Sequence, residues 1–134
     1  MSHTPSILVI EDDRFLRRAC EVSLQQRGFI VRSATEGETG LQIAKETTPD
    51  LILLDLLMPR VSGIEVLERL RADAATATIP VVILSNSSRE EDKARAADLG
   101  AVGYYVKSNL SLRALGDAVV RLVGSPAVAG NGTS

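Results

Sequence analysis

Apolar runs of strand length alternate with helically spaced apolar positions five times along the chain. Ile7-Leu8-Val9-Ile10 is a short apolar run followed at once by three acids, Glu11, Asp12 and Asp13. From Phe15 to Arg27 the residues Leu16, Ala19, Cys20 and Leu24 recur at helical spacing until Gly28 stops the pattern, and Asp13 is placed to cap that helix. Phe29-Ile30-Val31 reads as the second strand, and residues 36–47 as the second helix with Leu41 and Ala44 inward. Leu51-Ile52-Leu53-Leu54 is apolar throughout, as a strand covered on both faces must be. Ser62 and Glu65 have capping-box spacing at the start of a helix whose Ile64, Leu67 and Leu70 form a buried stripe. Pro80 to Leu84 is the fourth strand. Ser88 and Glu91 are placed to cap the fourth helix, whose thin apolar face is Ala94 and Ala97. The fifth strand falls near residues 102–106, and the last helix carries Leu112, Leu115, Val119 and Leu122 inward. Five strand–helix units imply a parallel sheet with helices on both faces, joined by right-handed crossovers. The expected fold is α/β and doubly wound.

Composition narrows the function. The 134 residues fit one domain, expected over 1–124, with Ser125 to Ser134 as a loose tail or linker. With 45% hydrophobic and 24% charged residues the balance is that of a globular protein. A net charge of −2 excludes a general polyanion binder, and Arg14, Arg17 and Arg18 read as a solvated helix face. No apolar run approaches the roughly 20 residues that a membrane-spanning helix needs. The first five residues lack the basic and apolar regions of a secretory signal. Cys20 is the only cysteine, which rules out an internal disulfide and suits a cytoplasmic setting. Its spacing from Leu16 and Leu24 marks a packing role. His3, the only histidine, is too isolated for a histidine metal site or a Ser-His pair.

In open α/β sheets ligands bind beyond the carboxyl ends of the strands. There the first strand delivers Glu11, Asp12 and Asp13, the third Asp55, the fourth Ser85 and the fifth Lys107. The second strand, ending at Arg32 and Ser33, brings no acid. Clustered carboxylates repel one another and raise each other's pKa, and a hard divalent cation with oxygen ligands, magnesium above all, resolves the repulsion. Asp55 is then a candidate nucleophile, because carboxylates form aspartyl phosphates. Lys107 offers a compact cation and Ser85 a hydroxyl donor to phosphoryl oxygens. Taken singly, each has a plain structural explanation as a turn, loop or surface residue. Their joint placement at four strand ends is what points to chemistry.

Several segments, in this order and at these intervals, resemble the response-regulator receiver family. They are residues 7–13 (Ile-Leu-Val-Ile-Glu-Asp-Asp), 49–59 (Pro49 through Asp55 to Pro59), Ser62-Gly63, Ser85, Gly100-Ala101 and Gly103-Tyr104-Tyr105-Val106-Lys107. The resemblance covers nearly the whole chain up to about Gly124. It implies a flavodoxin-like five-stranded sheet of order 2-1-3-4-5. It also implies phosphotransfer from a sensor histidine kinase or histidine phosphotransfer protein, with Mg2+ (or Mn2+) as cofactor. Glu11 and Asp12 match the acidic pair, Asp55 the phosphoacceptor, and the backbone carbonyl of Leu57 a further metal ligand. Ser85 and Lys107 match the phosphoryl-sensing hydroxyl and lysine, and Tyr104 the switch aromatic.

Three positions depart from the common pattern. Ser108 replaces the proline after the lysine, so a trans bond is expected there. Ser85 stands where threonine is common. Leu57 is a bulky apolar residue placed to hinder water and slow loss of the phosphoryl group.

The expected role is a cytoplasmic signalling switch with slow self-phosphorylation and autodephosphorylation, not a metabolic enzyme. A downstream protein, or a second phosphorylated copy, would use the face formed by the fourth helix, the fifth strand and the fifth helix. No direct nucleic-acid contact and no membrane insertion are expected, and the chain reads as a stand-alone receiver or an excised domain. The alternative is a degenerate receiver that binds a partner without phosphorylation, against which the intact Glu11, Asp12, Asp55, Ser85 and Lys107 speak. A haloacid-dehalogenase-type phosphatase would need a second acid where Leu57 stands. Flavin binding would need a Ser/Thr-rich loop after the first strand.

Overall fold

Alternate residues of a strand face opposite sides of a sheet, so the continuous apolar runs of the central strands require cover on both faces. The computed structural model describes residues 3–126 and supplies that cover. Its elements are β1 (Ser6–Ile10), α1 (Arg14–Gln26), β2 (Ile30–Ala34), α2 (Gly37–Thr47), β3 (Leu51–Asp55), α3 (Gly63–Ala72), β4 (Val81–Ser85), α4 (Glu90–Asp98), β5 (Gly103–Val106) and α5 (Leu112–Val123), with a 3-10 turn at Lys107–Asn109. The five strands are parallel, in the order β2-β1-β3-β4-β5. Leu8, Ile10, Ile52, Leu54 and Ile83 pack with Leu41, Val66, Leu67 and Leu70 beneath α2 and α3. Ile7, Val9, Leu51, Leu53 and Leu84 pack on the other face with Leu24, Leu115 and Val119 beneath α1 and α5. Cys20 is fully buried in that second layer, as its spacing predicts.

Register positions the rim. Ile10 lies opposite Leu54, Asp55 opposite Leu84, and Ser85 opposite Val106. Glu11, Asp55, Ser85 and Lys107 therefore come together at the carboxyl edge of four adjacent strands.

Local chemistry explains the element ends. Asp13 caps α1, accepting the N–H groups of Phe15 and Leu16, and the Ser62 hydroxyl accepts the N–H of Glu65 at the start of α3. Both match the sequence reading. Four expectations need correction. β2 continues to Ala34, because it pairs only with β1 and tolerates the polar Arg32 and Ser33 of an edge strand; the acid Glu36 then follows at the start of α2. α4 is entered through Ser87 rather than Ser88. The Ser87 hydroxyl accepts the N–H of Arg89 and donates to Asp92 at 2.5 Å, a local turn that competes with a cap at Ser88. The helix therefore begins at Glu90 and buries Ala96, leaving Ala94 and Ala97 exposed. On α5 the inward row is Leu115, Ala118 and Val119, while Leu122 is 42% exposed. Ile64, expected on the buried stripe of α3, is only half-buried and Val66 is buried instead.

No peptide bond is cis among the described residues, so the bond before Ser108 is trans as expected. Pro126 is buried beside Gly28, where an added Cβ would meet it at 3.2 Å. The rest of the expected tail, from residue 127 onward, lies outside the described residues.

Candidate functional site: an acidic rim with one lysine

Glu11 and Asp55 are buried at 0% and 1% exposure, whereas Asp12 beside them is exposed. The Lys107 ammonium donates a 3.0 Å hydrogen bond to Glu11 Oε2. It also stands 2.9 Å from Glu11 Oε1 and 3.2 Å from Asp55 Oδ2, as ion pairs. The backbone fixes the acids further. Asp13 N–H donates to Glu11 Oε2 at 2.9 Å, and Leu57 N–H donates to Asp55 Oδ1 at 3.1 Å. Glu11 Oε1 and Asp55 Oδ2 remain buried without a hydrogen bond.

Charge follows from this packing. Burial, and then the neighbouring charge of Glu11, push the Asp55 carboxyl up to about 7, against the pull of Leu57 N–H and Lys107. For Lys107, burial works against the charge. The hydrogen bond it donates to Glu11 and the charges of both acids outweigh it, and its pKa lies above the ordinary value.

Oxygens of Glu11, Asp12 and Asp55 lie within 4.8 Å of one another. Three hard oxygen donors, two of them on buried carboxylates that share a single ammonium, suit a divalent cation such as magnesium. The residues present fit the metal.

The hydroxyl residue sits one strand over. Ser85 is fully buried, and its oxygen accepts the Ser87 N–H at 3.0 Å. The Ser87 carbonyl in turn accepts the Tyr104 hydroxyl at 2.9 Å. Tyr104 is half-buried against the α2–α3 layer, and Lys93 Nζ lies 6.0 Å from the centre of its ring. Glu11, Asp12, Asp55, Ser85 and Lys107 thus fall on one rim, with Tyr104 on β5 beside it. Leu57 is on the loop directly after Asp55, with its side chain 61% exposed.

Two participants were not legible. Ser87 is one of several serines in a polar stretch, and nothing in the sequence distinguishes it. Arg17, read as a solvated cation, donates instead to the backbone carbonyls of Glu11 (3.1 Å) and Asp12 (3.4 Å) and braces the acidic loop. Gly63 has a role that only the packing reveals. A Cβ there would lie 2.2 Å from the carbonyl oxygen of Asp55. A cavity of about 480 Å3 lies between α2 and α3, but none of its lining residues belongs to the rim.

This fold and rim define a receiver of the two-component type. Residues 7–119 match the family described as response regulator receiver domain, and the chain belongs to that family. Among its relatives, the DNA-binding dual master transcriptional regulator RpaA of Synechocystis is 40% identical over 103 residues, which are 77% of this chain and 43% of that protein. The transcriptional regulatory protein AfsQ1 of Streptomyces coelicolor is also 40% identical over 103 residues, covering 77% of this chain and 44% of AfsQ1. The chain thus spans less than half the length of these relatives. Among solved structures, the chemotaxis protein CheY4 of Vibrio cholerae superimposes with a TM-score of 0.83 at 25% identity, covering 90% of this chain and 99% of CheY4. The receiver domain of Francisella response regulator 1452 gives 0.82 at 28% identity, covering 90% of this chain and 97% of that domain.

Proposed function

We propose that this receiver accepts a phosphoryl group on Asp55 and relays the change to a partner surface formed by α4, β5 and α5. The observation that carries the reading is the pair of buried carboxylates, Glu11 and Asp55, sharing one lysine at the edge of the sheet. The donor is a phosphohistidine on a sensor kinase or phosphotransfer protein. A carboxylate oxygen of Asp55 attacks phosphorus, an O–P bond forms as the P–N bond breaks, and the imidazole leaves with the electron pair. Glu11, Asp12, Asp55 and the backbone carbonyl of Leu57 would hold Mg2+ or Mn2+, which when bound offsets negative charge on the acids and the phosphoryl group. Lys107 binds one phosphoryl oxygen and Ser85 another. When the Ser85 hydroxyl turns to the phosphoryl group, the Ser85–Ser87–Tyr104 chain of hydrogen bonds changes with it, and Tyr104 serves as the switch.

The protein is on this reading a switch that turns over slowly, not a metabolic enzyme. Its free thiol suits the reducing cytoplasm. Its output is a protein target or a second phosphorylated copy of the chain. Titration with beryllofluoride and Mg2+, followed by amide NMR, tests the proposal. Wild type should respond at the rim and at Tyr104, and Asp55→Asn should not. Silence in wild type would favour a receiver that binds its partner without phosphorylation.

A further inference from the structure

α4 is poorly held by packing. Ala96 is its only buried residue, and the ion pair of Arg95 with Glu68 is exposed and worth little. Its two ends are held by different means. At the amino end the contacts run through Ser87, to the Ser85 oxygen, the Tyr104 hydroxyl and Asp92. All of these belong to the rim that senses Asp55, or to its immediate neighbours.

The carboxyl end is tied to something else. Gly100 N–H bonds the Ala97 carbonyl and Ala101 N–H bonds the Ala96 carbonyl, a Schellman closure that needs the positive φ of 83° found at Gly100. The closure leaves the carbonyls of Leu99 and Gly100 facing α3. Arg71 takes both, with Nε donating to Leu99 at 2.8 Å and Nη2 to Gly100 at 3.4 Å. The same guanidinium donates through Nη1 to Ile79 at 2.8 Å and Ala77 at 3.1 Å, on the segment leading into β4. It makes no ion pair with a carboxylate among the described residues. Burial lowers its pKa from the ordinary arginine value, and four carbonyl dipoles take the place of a counter-ion.

We propose that Arg71 is a positioning residue that fixes the carboxyl end of α4, so that phosphorylation moves this helix by pivoting its amino end. This rests on Asp55 being the acceptor. A helix of nine residues is about 13 Å long at roughly 1.5 Å per residue. A pivot at one end therefore turns a small shift at Ser87 into a tilt of the partner face without unfolding α4.

Amide hydrogen exchange on the full chain, with and without beryllofluoride and Mg2+, tests this. In wild type, exchange at Ser87–Asp92 should change several-fold on adding beryllofluoride, and that at Ala97–Ala101 should stay constant. In Arg71→Met, exchange at Leu99, Gly100 and Ala101 should be about tenfold faster from the start, and the response to beryllofluoride should spread along the whole helix. If Arg71→Met does not fold, Arg71→Lys keeps the charge but loses the planar fork, and the same loosening is read on it. A wild-type response of equal size at both ends overturns the pivot alone, as does unchanged exchange at the carboxyl end of the variant. No response anywhere in wild type overturns the acceptor reading, and the pivot with it.

Discussion

Lys107 Nζ stands 3.2 Å from Asp55 Oδ2 while donating its hydrogen bond to Glu11, so one ammonium serves two buried carboxylates. Removing it leaves two acids uncompensated in a site that water barely reaches. Lys107→Met should destabilise the metal-free protein by about 3 kcal/mol, the usual loss when one partner of a buried ion pair is deleted. Urea unfolding measures this, and saturating Mg2+ should recover part of the loss. An unchanged urea midpoint would show that the acids are compensated in another way.

The raised pKa of Asp55 has a definite sign in stability. Its carboxyl titrates near 7 in the native state, above the ordinary 3.8. The folded protein therefore holds a proton that the unfolded chain has released, and its contribution to stability is complete below about pH 4. That contribution is lost as pH rises towards 7. Asp55→Asn removes this slope and should be the more stable form at pH 8, by on the order of 2 kcal/mol without metal. On the proposed reading Mg2+ binds the deprotonated acids, and it should then raise Tm more at pH 8 than at pH 5. Thermal melts across this range check both; parallel profiles for wild type and Asp55→Asn would contradict the assignment.

Gly63 allows α3 to begin directly against the end of β3. A Cβ at this position would sit 2.2 Å from the Asp55 carbonyl oxygen and 2.5 Å from Leu56 Cα, both backbone atoms that cannot swing aside. Gly63→Ala should destabilise the fold by about 2 to 3 kcal/mol and weaken metal binding as the loop shifts. Denaturant unfolding and a Mg2+ titration, run on the same preparation, report the two effects.

Leu57 places an apolar side chain, 61% exposed, two residues beyond Asp55. Replacing it with a residue that can orient water should hasten loss of the phosphoryl group, by about tenfold for Leu57→Asn. Decay of the phosphorylated protein after removal of the donor measures this. Equal half-times would remove Leu57 from the account.

Most of the sheet was legible because its central strands are covered on both faces and therefore read as unbroken apolar runs, as at Leu51–Leu54. The site was legible for a related reason. Parallel strands present their carboxyl ends on one edge, so the residue after each run falls on the rim without any knowledge of packing. Where packing or solvation is one-sided the signal weakens. β2 is an edge strand whose Arg32 is exposed and whose half-buried Ser33 bonds Glu21 of α1, so no apolar run marks its end. α4 has so little buried surface that its alanines did not reveal which one faces the core, and a serine one residue earlier won the competition to start it. Arg17 and Arg71 look in sequence like any surface arginine. Only the fold shows that both spend their donors on backbone carbonyls.

The central claim is chemical: Asp55 takes a phosphoryl group. Intact-mass analysis after incubation with acetyl phosphate and Mg2+, followed by peptide mapping, tests it most directly. Wild type should gain the mass of one phosphoryl group, on the peptide containing Asp55, and lose the gain when Mg2+ is chelated beforehand. Asp55→Asn should gain nothing. An unmodified wild type, or equal modification of Asp55→Asn, would contradict the account.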